Sequence, residues 1–168
     1  MRFSLGGRLA LPFVLLLGVF LFCSGLTICG GEEVSVQQKK VIKLEGTDIS
    51  ELPFSPAIQA GDWLFLSGAI GTDPATGELV EEIEAQTRQV LENLGALLKE
   101  AGMDYKNVVK VTVYLTDIED YDALNKVYKE YFSSERPARA VVEVSELVRG
   151  AKLEISMIAV KLASPTEN

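Results

Sequence analysis

The order of helix-forming and strand-forming segments constrains the fold of this chain more than any other feature. Over residues 83–101 the apolar side chains recur at helical spacing, and Gly102 follows as a residue that can end the helix. A β-branched segment at 108–116 predicts a strand. A second helix is predicted to begin near Asp120, with one apolar face made of Leu124, Val127, Tyr128 and Tyr131.

Strand patterns lie on both sides of this central region. Residues 41–44 and 63–68 precede it, and residues 138–144 and 153–162 follow it. The stretch 50–60 contains two prolines and is predicted to be an ordered loop. The resulting order, β-β-α-β-α-β-β, predicts an α+β fold in which both helices pack on one face of a sheet.

The last two predicted strands each carry one charge inside an apolar run. Arg139 opens the run that follows Pro137, and Glu154 lies between Leu153 and Ile155. A charge on a half-buried strand is costly unless it is paired or used. If the two strands are neighbours, the two charges form either a small polar site or a structural salt bridge.

The N-terminus carries a nearly uncharged apolar run over residues 9–28, preceded by Arg2 and Arg8. This is the pattern of a signal peptide, and the run is also long enough to cross a bilayer once. Three interpretations stay open: a cleaved signal, an uncleaved anchor in contact with the membrane, and a lipoprotein modified at Cys29. The positive-inside rule places the chain after Cys29 outside the cytoplasm, so we expect an exported protein, periplasmic or extracellular.

Composition divides the chain and limits its chemistry. We expect a signal or anchor at 1–29, a linker at 30–39, one domain at 40–162 and a tail at 163–168. Both cysteines lie in the first segment and the chain has no histidine. The domain therefore lacks a thiol nucleophile, a Ser-His-Asp triad and the usual zinc ligands.

The chain is acidic, with a formal net charge of −8. Such a balance argues against binding of nucleic acid through a general basic patch. The acidic cluster formed by Glu78, Glu81, Glu82 and Glu84 precedes and opens the first helix, where the helix dipole favours negative charge. Its spacing does not predict a metal site.

Several motifs together resemble the RidA/YjgF family of reactive intermediate deaminases. They are Leu66-Ser67-Gly68, the helix 125–132, the block Arg136-Pro137-Ala138-Arg139-Ala140, and Lys152-Leu153-Glu154-Ile155. The resemblance covers roughly residues 41–161. It implies a chorismate-mutase-like, YjgF-like α+β protomer and a homotrimer with its sites between subunits. It also implies hydrolysis of enamines and imines, such as 2-aminoacrylate and 2-iminopropanoate, to a 2-oxo acid and ammonia.

The resemblance also implies roles for single residues. Arg139 matches the arginine that binds the substrate carboxylate, and Glu154 matches the acid that positions or activates water. Ser67 and Asn125 match residues that line the substrate pocket. Gly68 and Tyr128 are further substrate-binding candidates, and Tyr128 is alternatively a core residue or a trimer contact. A planar guanidinium suits a carboxylate, and an imine carbon needs only a placed water and a proton shuttle. No metal or cofactor is required.

The sequence departs from the family pattern at one informative position. Ala57 stands where deaminase-active members usually have tyrosine, in the block Ser55-Pro56-Ala57-Ile58-Gln59. Two hypotheses therefore follow from the resemblance. One is an imine deaminase acting outside the cytoplasm. The other is a catalytically weak module that binds a small carboxylate, or a partner, on the same fold.

Overall fold

The computed structural model of the protein describes residues 38–162. The predicted signal or anchor at 1–29 and the tail at 163–168 lie outside this range, as does all but the end of the predicted linker. Within the described range, no helix combines the length and the apolar character that crossing a membrane would need.

The described chain forms one mixed sheet and two α-helices. The strands are β1 (Lys39–Ile42), β2 (Ala57–Ala60), β3 (Trp63–Ile70), β4 (Val108–Leu115), β5 (Ala138–Glu143) and β6 (Leu153–Val160). The helices are α1 (Ile83–Glu100) and α2 (Tyr121–Tyr131). Gly102, with φ of 70°, follows the C-cap residue Ala101 at the end of α1 as predicted, since a left-handed backbone favours glycine.

The strand order across the sheet is β1-β2-β3-β6-β4-β5. Every neighbouring pair is antiparallel except β4 and β5, which are parallel and joined through α2. The connections β3-α1-β4 and β4-α2-β5 advance in the same direction across the sheet. Right-handed crossovers that advance in one direction place their helices on one face. The predicted α+β class, with both helices on one side, is confirmed.

The prediction of a loop over residues 50–60 is wrong at its C-terminal end. Residues 57–60 form β2, which pairs with β1 on one side and with β3 on the other. Pro56 lies just before the strand, so its missing N–H removes no hydrogen bond between β2 and its neighbouring strands. A turn at Gly61 and Asp62 then reverses the chain into β3.

Alternation along β6, and along β4 from Val111 onward, divides the sheet into a covered face and an open face. The covered face packs against the helices and includes Val111, Val113, Leu153, Ile155 and Met157, all buried. The helices contribute the apolar positions predicted from their spacing, including Val90, Leu91, Leu94, Leu98, Leu124 and Val127, all fully buried. The core therefore lies on one side of the sheet.

The open face carries an apolar row that no described residue covers. Val41, Ile58, Phe65 and Ile158 are register partners in turn across four adjacent strands. Phe65 is 45% exposed, and Trp63 on the same strand is 48% exposed. Contiguous exposed apolar surface of this kind marks an interaction surface.

Two ion pairs connect the helices on their outer side. Arg88 on α1 binds Glu130 on α2 through two hydrogen bonds of 2.6 and 3.1 Å. The Nζ of Lys126 on α2 lies 2.8 Å from a carboxylate oxygen of Glu84 on α1. Glu84 belongs to the acidic cluster at the start of α1, where the helix dipole is predicted to favour negative charge. In both pairs the residue on α2 comes 42 positions after its partner on α1. A step forward along α1 is thus matched by an equal step forward along α2, so the helices run parallel at this contact.

We expect Gly71→Ala to lower the free energy of unfolding by about 1–3 kcal/mol, because overpacking forces the backbone to move. A β-carbon on Gly71 would lie 2.8 Å from the Cα and the carbonyl oxygen of Gln86 in α1. The measurement is urea unfolding followed by circular dichroism. The control is Gly68→Ala on β3, where the new methyl group would meet only the end of a flexible side chain. Equal stability of the two variants would contradict this packing.

Candidate functional site

Arg139 lies on the edge strand β5, with its side chain on the covered face of the sheet. Its register partner on β4 is Val111, which is fully buried in the core. The Arg139 Nη2 donates to Asn125 Oδ1 at 2.7 Å and to Tyr121 Oη at 3.4 Å. Its guanidinium carbon lies 4.5 Å from the ring centroid of Tyr128, within cation–π range. Helix α2 therefore fixes the guanidinium in place.

One face of α2 supplies all three of these contacts. Tyr121, Asn125 and Tyr128 are spaced four and three residues apart, which places them side by side on a helix. The structure thus brings Arg139 together with two of the other candidate residues, Asn125 and Tyr128. Tyr121 was missed from the sequence, and its spacing from Asn125 was the one signal that could have identified it.

Tyr128 is the most buried member of this group, at 5% exposure. Its ring stacks on Phe132 with a centroid distance of 4.5 Å. Burial raises the pKa of Tyr128 to about 12, although the positive charge of Arg139 acts to lower it. The phenol therefore stays neutral. Its hydroxyl has no hydrogen-bond partner among the described residues.

These residues line a cavity of about 310 Å³. Its wall consists of Tyr121, Asn125, Tyr128, Lys129, Arg136, Pro137 and Arg139. The cavity therefore combines two aromatic rings with three cationic side chains and contains no carboxylate in its wall. This chemistry suits a small anion.

Glu154, Ser67 and Gly68 form a second group on the open face of the sheet. Strand β3 has an irregularity between Leu66 and Ala69, and Gly68 lies within it. A β-carbon on Gly68 would overlap Glu154 Oε1 and lie 2.7 Å from the Glu154 carboxyl carbon. Gly68 therefore leaves the space that the carboxyl group occupies. The Ser67 hydroxyl donates to the carbonyl oxygen of Ser55 at 2.8 Å, which holds the preceding loop against β3.

The two groups do not meet within one chain, which corrects the expectation of neighbouring strands. Strand β4 lies between β5 and β6, because β6 inserts between β3 and β4. Arg139 is on the covered face and Glu154 on the open face. From strand spacing and rise their Cα atoms are about 14 Å apart. The alternative of a structural salt bridge between them is therefore wrong for the isolated chain.

Ala57 lies beside Ser67, whose backbone N–H donates to the carbonyl oxygen of Pro56 at 3.0 Å, but the Ala57 side chain is on the other face of the sheet. It is fully buried on the covered face, where its register partner is Leu66. Its methyl group packs into the core of the sheet.

Comparisons with known proteins agree with this fold and this set of residues. Residues 47–161 match the family model described as Endoribonuclease L-PSP. A RutC family protein of Pyrococcus horikoshii is 49% identical over 124 residues, which cover 73% of this chain and 98% of the relative. The mouse 2-iminobutanoate/2-iminopropanoate deaminase is 42% identical over 124 residues, covering 73% of this chain and 92% of that enzyme.

Solved structures give the same result. The crystal structure of Escherichia coli TdcF with bound serine aligns with a TM-score of 0.69 at 34% identity, covering 73% of this chain and 99% of that one. The crystal structure of the Escherichia coli YjgF gene product also aligns with a TM-score of 0.69 at 34% identity and the same coverage. With the family model, the relatives and the fold in agreement, this chain belongs to the RidA/YjgF family, also described as the endoribonuclease L-PSP family.

Proposed function

We propose that this protein hydrolyses short enamine and imine intermediates, of the 2-aminoacrylate and 2-iminopropanoate type, to 2-oxo acids and ammonia. The observation that carries the proposal is the Arg139 guanidinium, held over Tyr128 and against Asn125 at the wall of a small cavity. Relatives named 2-iminobutanoate/2-iminopropanoate deaminase, from mouse and human, support the reaction type at 42% and 43% identity.

Hydrolysis of an imine requires the protein to bind and orient the substrate and to place a water and a proton-transferring group beside it. Arg139 binds the substrate carboxylate through paired hydrogen bonds, which fixes the orientation of the C=N group. Glu154 then orients a water toward the imine carbon and moves a proton toward nitrogen. An enamine first takes a proton on its terminal carbon and becomes the imine. Water then adds to the imine carbon, its protons pass to nitrogen, the C–N bond breaks, and ammonia leaves as the 2-oxo acid forms. None of these steps needs a nucleophilic side chain.

A composite site follows from the separation of Arg139 and Glu154 on opposite faces of the sheet. We propose that Arg139 of one subunit and Glu154 of the next line the same cleft in a homotrimer. The apolar row at Val41, Ile58, Phe65 and Ile158 supports this assembly, since a closed ring of copies would cover the open faces.

We propose further that the protein acts outside the cytoplasm, delivered or anchored by residues 1–29. The apolar run behind Arg2 and Arg8 supports this location. An exported deaminase would need its imine substrates to form in, or reach, the same compartment.

A binding module that retains the carboxylate pocket without efficient catalysis is the second candidate function. The presence of Ala57 in place of a tyrosine hydroxyl favours it. Such a protein needs Arg139 for its ligand and has no use for the Glu154 carboxylate, so variants of Glu154 distinguish the two functions.

We expect Arg139→Ala to lower kcat/KM by about 10- to 100-fold, since loss of a charged hydrogen bond costs about 1.5–3 kcal/mol. The assay generates 2-aminoacrylate in situ with a serine-consuming lyase and follows pyruvate release by the full-length chain in mild detergent. Arg88→Ala is the control, because Arg88 pairs with Glu130 on the outer surface. Unchanged turnover in Arg139→Ala would reject the proposed reaction.

We expect Gly68→Ala to behave like Glu154→Ala: loss of activity, with little loss of carboxylate binding. The new methyl group occupies the place of the Glu154 carboxyl group and displaces it. A reduction of about tenfold or more in kcat/KM is expected for each variant. Calorimetric titration with pyruvate reports binding separately. If both variants keep full activity, Glu154 has no part in the hydrolysis. If the native protein itself releases no pyruvate while Arg139→Ala abolishes pyruvate binding, the binding module is the better account.

We expect two inactive variants to restore activity when their subunits are mixed. Arg139→Ala and Glu154→Ala chains, unfolded together and refolded, would recreate intact sites where the two kinds of subunit meet. Random mixing in a ring gives about one quarter of the sites both native residues. The control is the same pair mixed after separate refolding. No gain over the unmixed variants would contradict a site shared between subunits.

A further inference from the structure

Three cationic side chains line the cavity beside α2, in a protein where acids outnumber bases by 24 to 16. They are Arg139, Lys129 and Arg136. The ion pairs among residues 38–162 join other residues, so none of these three is neutralised by a carboxylate of the described chain. One guanidinium is enough to bind the single carboxylate of 2-iminopropanoate. The other two cations therefore exceed what that substrate requires.

Arg136 is held in a defined position at the C-terminal end of α2. Its Nε donates to the carbonyl oxygen of Phe132 at 3.0 Å, which leaves its terminal Nη groups without an acceptor in the described chain. The preceding residue, Glu135, has a left-handed backbone with φ of 46°. This conformation is unfavourable for a residue with a side chain, and here it belongs to the turn that presents Arg136 beside the helix end.

Lys129 approaches the same cavity from the helix itself. It follows Tyr128 directly and lies one turn beyond Asn125. Lys126, on the same helix, pairs instead with Glu84 and does not line the cavity. The cavity thus has one half-buried cation, Arg139, fixed by α2, and two exposed cations on its wall.

We propose that this pocket prefers imines bearing a second carboxylate, with 2-iminosuccinate as the representative substrate. The inference rests on the proposed imine hydrolysis and names its substrate class. Arg139 binds the carboxylate next to the imine, and Arg136 with Lys129 binds the distal carboxylate. Water adds to the imine carbon, the C–N bond breaks, ammonia leaves, and the product is the 2-oxo diacid oxaloacetate.

The structure also offers a purely structural role for Arg136, since its Nε caps a carbonyl at the helix end. The two roles predict different kinetics. Loss of a structural contact would lower the turnover of every substrate alike. Loss of a charge that binds the distal carboxylate would raise KM for the diacid alone.

The test compares two imines that differ only at the distal end. Amino acid oxidases generate 2-iminosuccinate from aspartate and 2-iminobutanoate from 2-aminobutanoate, and semicarbazide traps whatever imine the full-length protein has not hydrolysed. We expect a higher kcat/KM for 2-iminosuccinate in the native protein. Arg136→Gln and Lys129→Gln should each lower that value about 5- to 20-fold, through KM, and leave 2-iminobutanoate within about twofold. Lys126→Gln is the matched control and should change neither.

The outcomes separate this inference from the proposed function. Hydrolysis of 2-iminobutanoate with no preference for 2-iminosuccinate, or equal losses for both substrates in the variants, would overturn the dicarboxylate preference alone. Hydrolysis of neither imine would overturn the proposed function. In that case calorimetry with oxaloacetate against 2-oxobutanoate still decides the inference: tighter binding of oxaloacetate that requires Arg136 and Lys129 supports a diacid pocket, and equal binding refutes it.

Discussion

The insertion of β6 between β3 and β4 is the constraint on which the rest of this structure depends. As an inner strand, β6 exchanges hydrogen bonds with antiparallel neighbours on both sides. Its strict alternation then places Leu153, Ile155, Met157 and Ala159 in the core and the residues between them on the other face. A register slip of one residue would reverse both faces at once. The position of Glu154 is therefore fixed by the burial of its two neighbours.

The same insertion explains which features could be predicted from the sequence and which could not. The helices and most strands were predictable, because periodicity is a local property that burial enforces. The order of the strands was not, because it depends on pairing between segments far apart in the chain. The expectation that Arg139 and Glu154 occupy neighbouring strands failed for this reason. Strand β2 was missed because Pro53 and Pro56 dominate the local pattern that precedes it.

The candidate site was predictable in its residues and unpredictable in its geometry. The sequence pointed to Arg139, Glu154, Ser67, Gly68, Asn125 and Tyr128 as one set of candidate residues, and their roles stay predictions. Only the fold shows that the set divides between two faces of the sheet. The cationic wall was likewise hidden, because a net acidic chain masks a local excess of positive charge. A local excess of cations suits small anions at short range, even though the net charge of the chain is −8.

The two ion pairs between the helices affect the axial alignment of α2 with α1 more than the stability of the fold. Exposed pairs of this kind add little stability. Along α1 the order is acid then base, at Glu84 and Arg88, and along α2 it is base then acid, at Lys126 and Glu130. Sliding one helix past the other by a single turn would bring Arg88 opposite Lys126, like charge against like. The charges thus favour the observed axial position of α2 over a shift of one turn, and with it the observed position of the side chains that hold Arg139.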